Sequence, residues 1–172
     1  DTINIVACGT AMHAGLIGKY MTEKLARIPV NVYIASEFRY QDPILGKRDL
    51  VILISQSGET ADTVAALRLA KERGARTLAV VNVVGSTVAR EADHIILTLA
   101  GPEISVASTK AYSSQIAVMY AVSIKIAKLR GKISSAEAQA LLEELRGNVP
   151  AAIEEIIGQK EKIQKLAGEF LQ

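Results

Sequence analysis

Leu50-Val-Ile-Leu-Ile-Ser-Gln-Ser-Gly-Glu-Thr60 is the stretch whose reading decides the fold. It opens as a continuous apolar run ending at Ser55, with no alternation of inward and outward residues, as in strands covered on both faces. Gln56 to Thr60 then crowd hydroxyls, an amide and a glycine into a turn, and a helical pattern runs from Thr60 to Arg73, where Gly74 stops it. A strand, a short polar turn and a helix form the repeating unit of a parallel α/β sheet. Outward from it, strands are predicted at Ile3–Ala7, Val30–Ala35, Thr77–Asn82 and His94–Leu99, with a helix at Thr10–Arg27 and shorter turns at Ser36–Tyr40 and Ser86–Ala92. Right-handed crossovers follow from that alternation, and an α/β sheet in the flavodoxin-like order 2-1-3-4-5 is expected.

Beyond the fifth strand the pattern is helical only. Val106 to Lys128 read as one long helix, and Ala111 to Ile124 within it carry no charge. A helix apolar on every side needs cover on every side, so a partner subunit or second domain is expected over the face the sheet leaves bare. Ser134 with Glu137 forms a capping box for a short helix ending at Gly147. Pro150 starts a last helix with Ile153, Ile156, Ile157, Ile163, Leu166, Phe170 and Leu171 on one face. The domain is placed at residues 1–147 and a connecting helix at 148–172.

Composition narrows the function classes. The 172 residues balance 20 Lys+Arg against 18 Asp+Glu for a net charge of +2, and aromatics make up only 4%. Such a chain buries roughly 70% of its unfolded surface and folds without a metal or disulfide. Neither the basic patch nor the stacking platform of nucleic-acid binding is present. Cys8, the single cysteine, permits no internal disulfide and no CxxC pair, which suits a reducing, cytoplasmic compartment. His13 and His94 lie far apart and form no HExxH, so no metal site is expected. The most apolar stretch, Ile116 to Ile124, falls well short of the roughly 20 residues that span a bilayer. Asp1 to Asn4 open into a strand with no basic leader, a start expected of an excised fragment.

In the assumed strand order the ligand crevice lies at the switch point, between the loops after the first and third strands. Those loops read Cys8-Gly9-Thr10-Ala11 and Ser55-Gln56-Ser57-Gly58-Glu59-Thr60. Gly58 is free to take positive φ, so the backbone can wrap an anion, and the following helix presents free N–H groups and a positive dipole end. The second loop holds no Lys or Arg. Neutral donors suit a phosphate held as a handle rather than transferred. No GxxxxGK[ST] occurs, no GxGxxG follows the first strand, and Ser57 lacks the glycine a nucleophile elbow requires two residues before it. A third loop, Gly101 to Lys110, reaches the same edge with Ser108; Glu103 is read there as a helix cap and Lys110 as a solvated charge. Cys8 is read as packed rather than nucleophilic. His13 is read as a surface or interface residue and His94 as structural.

Cys8-Gly9-Thr10, the run Ser55–Thr60 with Ala61-Asp62-Thr63, Ile34-Ala-Ser-Glu-Phe-Arg-Tyr40 and Val106-Ala-Ser-Thr-Lys-Ala-Tyr112 resemble the first sugar isomerase (SIS) domain of the isomerizing glutamine–fructose-6-phosphate aminotransferase family, the glucosamine-6-phosphate synthases. The resemblance runs along essentially the whole chain. It implies a three-layer αβα fold around five parallel strands. It also implies that Ser55, Gln56, Ser57, Thr60, Thr10 and the backbone of Ala11 hold the sugar phosphate, and that Cys8, Gly9, Val106 and Ser108 face the sugar. Many members carry Ser where this chain has Ala11, which removes one donor and about 1 kcal/mol of phosphate binding.

The resemblance also implies, beyond this chain, a glutaminase domain with a terminal cysteine nucleophile, a second SIS domain and a tail, with the acid–base residues of the isomerase in the last two. The resemblance thus implies a phosphosugar-binding domain with no catalytic residue of its own and no cofactor; the apolar helix at Ala111–Ile124 adds the expectation of a homodimer, and composition that of no nucleic-acid or membrane partner. Two other functions stay open on the residues: the sugar-phosphate-sensing module of a transcription regulator, and a stand-alone phosphosugar isomerase. The isomerase would need Glu59, Glu103 or His13 as its acid or base.

Overall fold

The computed structural model describes residues 2–104 and 107–170. Its five strands are β1 (Ile3–Ala7), β2 (Val30–Ile34), β3 (Leu50–Ser55), β4 (Arg76–Val81) and β5 (His94–Leu97), in the order β2-β1-β3-β4-β5 with every neighbouring pair parallel. The first two strand pairs share one register, Ile3 lying opposite both Val30 and Leu50. Helices α1 (Gly9–Ala26), α2 (Ala35–Phe38), α3 (Ala61–Glu72), α4 (Thr87–Glu91) and α5 (Lys110–Leu129) alternate with or follow the strands.

Strand side chains alternate between two cores. Val6, Val51, Leu53, Ala79 and Val81 point to the face covered by α2, α3 and α4, where Phe38, Leu67 and Val88 are fully buried. Ile3, Ile5, Ile52, Ile54 and Val80 point to the opposite face, under α1 and α5 with Met119. The sheet is therefore covered on both sides, which is why its central strands read as unbroken apolar runs. The αβα arrangement and the strand order are those expected from sequence.

On the second face α1 and α5 pack closely together. Gly18 permits this: a Cβ there would meet Met119 Cε at 2.8 Å. Thr22 Oγ1 and Ser123 Oγ bridge the two helices at 2.8 Å, fully buried. Since Ser123 donates to the Met119 carbonyl at 2.8 Å, Thr22 is the donor in that bridge.

The chain divides into two compact units, Asp1–Ile133 and Ser134–Gln172. In the second, α6 (Ser135–Arg146) opens with the expected capping box: Ser134 Oγ accepts from Glu137 N and Glu137 Oε2 accepts from Ser134 N. The last helix differs from expectation. It is two helices, α7 (Asn148–Gly158) and α8 (Lys160–Gly168), interrupted at Gln159 after a glycine that weakens helical continuity. The long helix also starts later than Val106. Ala107 to Thr109 are not helical, and α5 begins at Lys110.

Candidate functional site

The chain passes from β1 to β2 on one side of the sheet and then to β3 on the other, so the loops after β1 and β3 diverge at the sheet's carboxyl edge. Between them lies a cavity of about 280 Å³ lined by Cys8, Thr10, Ala11, Ile54, Ser55, Gln56, Ser57, Thr60, Thr63, Glu103, Ser108 and Gln115. Three loops far apart in sequence thereby meet at one place.

The loop after β3 is held in shape by its own hydroxyls. Ser55 is buried, and its Oγ accepts from Gly58 N at 2.9 Å; Ser57 Oγ accepts from Glu59 N at 3.2 Å. A hydroxyl that accepts from the backbone keeps its own proton to donate. Thr60, the N-cap of α3, makes no side-chain capping bond, so its hydroxyl is not spent on the helix. Gly58 takes φ +67°, the left-handed turn expected of it.

Behind this loop stands the segment leading into α4. Gln56 O accepts from Asn82 N at 3.2 Å, Gly58 O from Val88 N at 3.0 Å, and Glu59 Oε1 from Thr87 N at 2.7 Å. Hydrogen bonds from Thr87, its side chain first and its backbone second, hold the Glu59 carboxyl below the usual glutamate range.

No Lys or Arg lines the cavity among the described residues. Positive potential comes instead from helix N-termini: the first turn of α1 supplies Thr10 and Ala11, and the start of α3 supplies Thr60 and Thr63. The third N-terminus, that of α5, is already capped. Glu103 Oε2 accepts from Ala111 N at 3.0 Å and Thr109 N at 3.3 Å, and its Oε1 accepts from Thr109 Oγ1 at 3.0 Å. The Ala111 N–H, with the Thr109 bonds, keeps the Glu103 carboxyl ionised below the usual range. Two free helix ends and a ring of neutral donors make a recess suited to an anion that is held and not activated.

The structure brings Cys8, Thr10, Ala11, Ser55, Gln56, Ser57, Thr60 and Ser108 onto one surface. Gly9 sits beside it, exposed at φ +55° and not on the lining; Val106 lies outside the described residues. Glu103 is the cap that its position suggested, and Lys110 is exposed. His13 is exposed on α1, and His94 is exposed at the head of β5. Thr63 and Gln115 are wall residues that sequence reasoning did not select. A signal existed for Gln115, the lone amide in the uncharged stretch 111–124. Among the described residues no group of His, Cys, Asp and Glu is placed to hold a metal, and no helix is long and apolar enough to cross a membrane.

A doubly wound αβα domain with a hydroxyl-lined recess at its switch point places the chain among the open-sheet α/β domains. The chain belongs to the SIS domain family, whose model matches residues 1–125. It is 56% identical over 167 residues to a protein of Clostridium acetobutylicum named glutamine–fructose-6-phosphate aminotransferase [isomerizing], covering 97% of this chain and 27% of that protein. A protein of the same name from Caldanaerobacter subterraneus is 53% identical over 169 residues, 98% of this chain and 28% of its own length. The chain therefore spans little more than a quarter of the curated relatives it matches. Among solved structures, the C-terminal domain of glucosamine-fructose-6-phosphate aminotransferase from Francisella tularensis superposes with a TM-score of 0.92 at 39% identity, over 96% of this chain and 47% of that one.

Proposed function

We propose that this chain is the phosphosugar-binding first isomerase domain of an isomerizing glutamine–fructose-6-phosphate aminotransferase, the enzyme that converts fructose 6-phosphate and glutamine into glucosamine 6-phosphate and glutamate. The observation that carries the proposal is the hydroxyl-lined recess between the loops after β1 and β3, with no Lys or Arg on its lining among the described residues. The sequence identity to aminotransferases of that name, at 56%, supports the choice of enzyme.

In this reading the phosphate dianion sits against Ser55, Gln56, Ser57 and Thr60, with Thr10 and the backbone N–H of Ala11 completing its donors. Each hydroxyl already oriented by a backbone N–H gives its proton to a phosphate oxygen at little entropic cost. The sugar extends toward Cys8, Gly9, Val106 and Ser108. Proton transfer to and from the sugar is left to residues outside this chain, as the resemblance implies, because Glu59 and Glu103 are both engaged as helix caps. The binding domain is taken as residues 1–147, with 148–172 leading toward a second SIS domain. Homodimerisation and a cytoplasmic location belong to the same proposal. The half-buried outward side chains of α5, Tyr112, Ile116 and Tyr120, offer an apolar face for such a dimer.

The test is a titration of the ¹⁵N-labelled chain with fructose 6-phosphate and, separately, with fructose. Shifts at the backbone amides of residues 56–61 with the phosphosugar alone, and no turnover of it, are expected. Equal shifts with unphosphorylated fructose, or amination or isomerisation by the chain by itself, would overturn the proposal.

A further inference from the structure

Two polar side chains in the wall of the recess are buried and unsatisfied. Thr63 is 1% exposed and Gln115 is 2% exposed, and among the described residues neither Thr63 Oγ1 nor Gln115 Oε1 has a hydrogen-bond partner. An unpaired buried amide or hydroxyl is costly to the fold, so each one asks for a reason.

For Gln115 the fold supplies none. It lies on the buried stripe of α5 formed by Ala111, Gln115, Met119 and Ser123, spaced four residues apart. Met119 closes against Gly18, and the hydroxyl of Ser123 is paired twice, to Thr22 and to the Met119 carbonyl. An apolar side chain at position 115 would continue that stripe without an unpaired group. Gln115 is nevertheless an amide, and it lines the recess. It also arrives from the opposite side to the phosphate loop, because α5 covers the face of the sheet opposite α3.

We infer that the side-chain amide of Gln115 is a specificity-determining contact that hydrogen-bonds a hydroxyl of the sugar portion of the bound phosphosugar. The two ends of the amide interchange by a half-turn about the terminal bond, so Gln115 can donate to or accept from that hydroxyl. A hydroxyl of the bound phosphosugar would give Gln115 Oε1 the partner that the described residues do not. The inference rests on the phosphosugar reading of the site and adds to it a residue that reads the sugar rather than the phosphate.

The experiment compares the parent chain with Gln115→Met in titrations with fructose 6-phosphate and with inorganic phosphate, alongside the melting temperature of each unliganded protein. Loss of one neutral hydrogen bond corresponds to about a five- to tenfold weaker affinity for fructose 6-phosphate. Affinity for inorganic phosphate is expected to stay unchanged, and the unliganded variant is expected to melt at the same temperature or higher. An unchanged fructose 6-phosphate affinity, an equal loss for both ligands, or a variant melting well below the parent would each overturn the inference. A parent chain with no affinity for fructose 6-phosphate would overturn the phosphosugar reading itself and this inference with it, so the parent titration separates the two failures.

Discussion

Gly58 and Ser86 touch so closely that a single methyl group does not fit between them: a Cβ on Gly58 would lie 2.1 Å from Ser86 Oγ and 2.7 Å from Ser86 Cβ. Gly58 also holds φ +67°, so an alanine there faces both a clash and a strained backbone. Gly58→Ala is expected to destabilise the chain by about 2–4 kcal/mol and to abolish phosphosugar binding. Ser86→Gly in the same chain removes the clash and leaves the strain, so the double variant should recover at least about 1 kcal/mol in urea unfolding. Strictly additive losses would show that the contact does not shape the loop.

Ser55 and Ser57 separate structure from binding. Ser55→Ala leaves the N–H of buried Gly58 without its acceptor and is expected to cost about 1–3 kcal/mol of stability as well as ligand affinity. Ser57→Ala, whose hydroxyl accepts only from the exposed Glu59 N–H, should change stability by no more than about 0.5 kcal/mol while still weakening binding. Equilibrium unfolding beside a ligand titration reads both quantities for each variant.

Ala11 lines the recess in the first turn of α1. Adding a hydroxyl there, by Ala11→Ser, is expected to tighten phosphosugar binding by about 1 kcal/mol, roughly fivefold. Titration calorimetry on the two chains checks it; an unchanged affinity would mean that position 11 contributes only its backbone.

Acid should loosen the walls of the site and the strand end at Asp49. The folded chain holds Glu59 and Glu103 below the usual glutamate range, through Thr87 and through Ala111 respectively. For a lowered carboxyl the stabilisation is complete above the unfolded pKa and is lost as pH falls through the folded one. Amide exchange at Thr109 and Ala111 should therefore accelerate as pH drops below the usual glutamate range, after correction for intrinsic exchange. Glu103→Gln should show that faster exchange already at neutral pH.

Asp49 is held low as well. Its burial works against ionisation, but hydrogen bonds, those from Thr2 and Gly46 among them, outweigh that and bring it to about 2. Its contribution should persist at about pH 4 and vanish toward pH 2, and Asp49→Asn should flatten that acid limb of the stability curve. Thermal melts at stepped pH on the two chains provide the reading.

Much of this architecture was written in runs of like residues. Val51, Ile52, Leu53 and Ile54 are at most 1% exposed, and a four-residue apolar block of that kind points to a strand sandwiched between helices. The hydroxyl cluster at Ser55–Thr60 was equally plain, because local composition there coincides with a local turn. Features built by contacts across the sequence were less legible. α5 starts at Lys110 rather than Val106 because Glu103 folds back to cap Thr109 and Ala111; position suggests Glu103 as a cap, but periodicity does not display which residues it ties. Gln115 is one polar residue in an apolar helix, and only the fold sets it in the wall of the recess. The break at Gln159 divides two segments that share one amphipathic pattern, and periodicity carries straight across it.

The central claim is that the recess recognises a phosphosugar through the loop Ser55–Thr60, and thermal unfolding with increasing fructose 6-phosphate, run on the parent and on Ser57→Ala, tests it most directly. At one hundred times the dissociation constant the parent should gain about 2.7 kcal/mol of stability, with a clearly smaller gain for the variant at the same concentration and none for either chain with fructose. A parent chain whose melting does not move with any phosphosugar, or that moves equally in Ser57→Ala, would contradict the account.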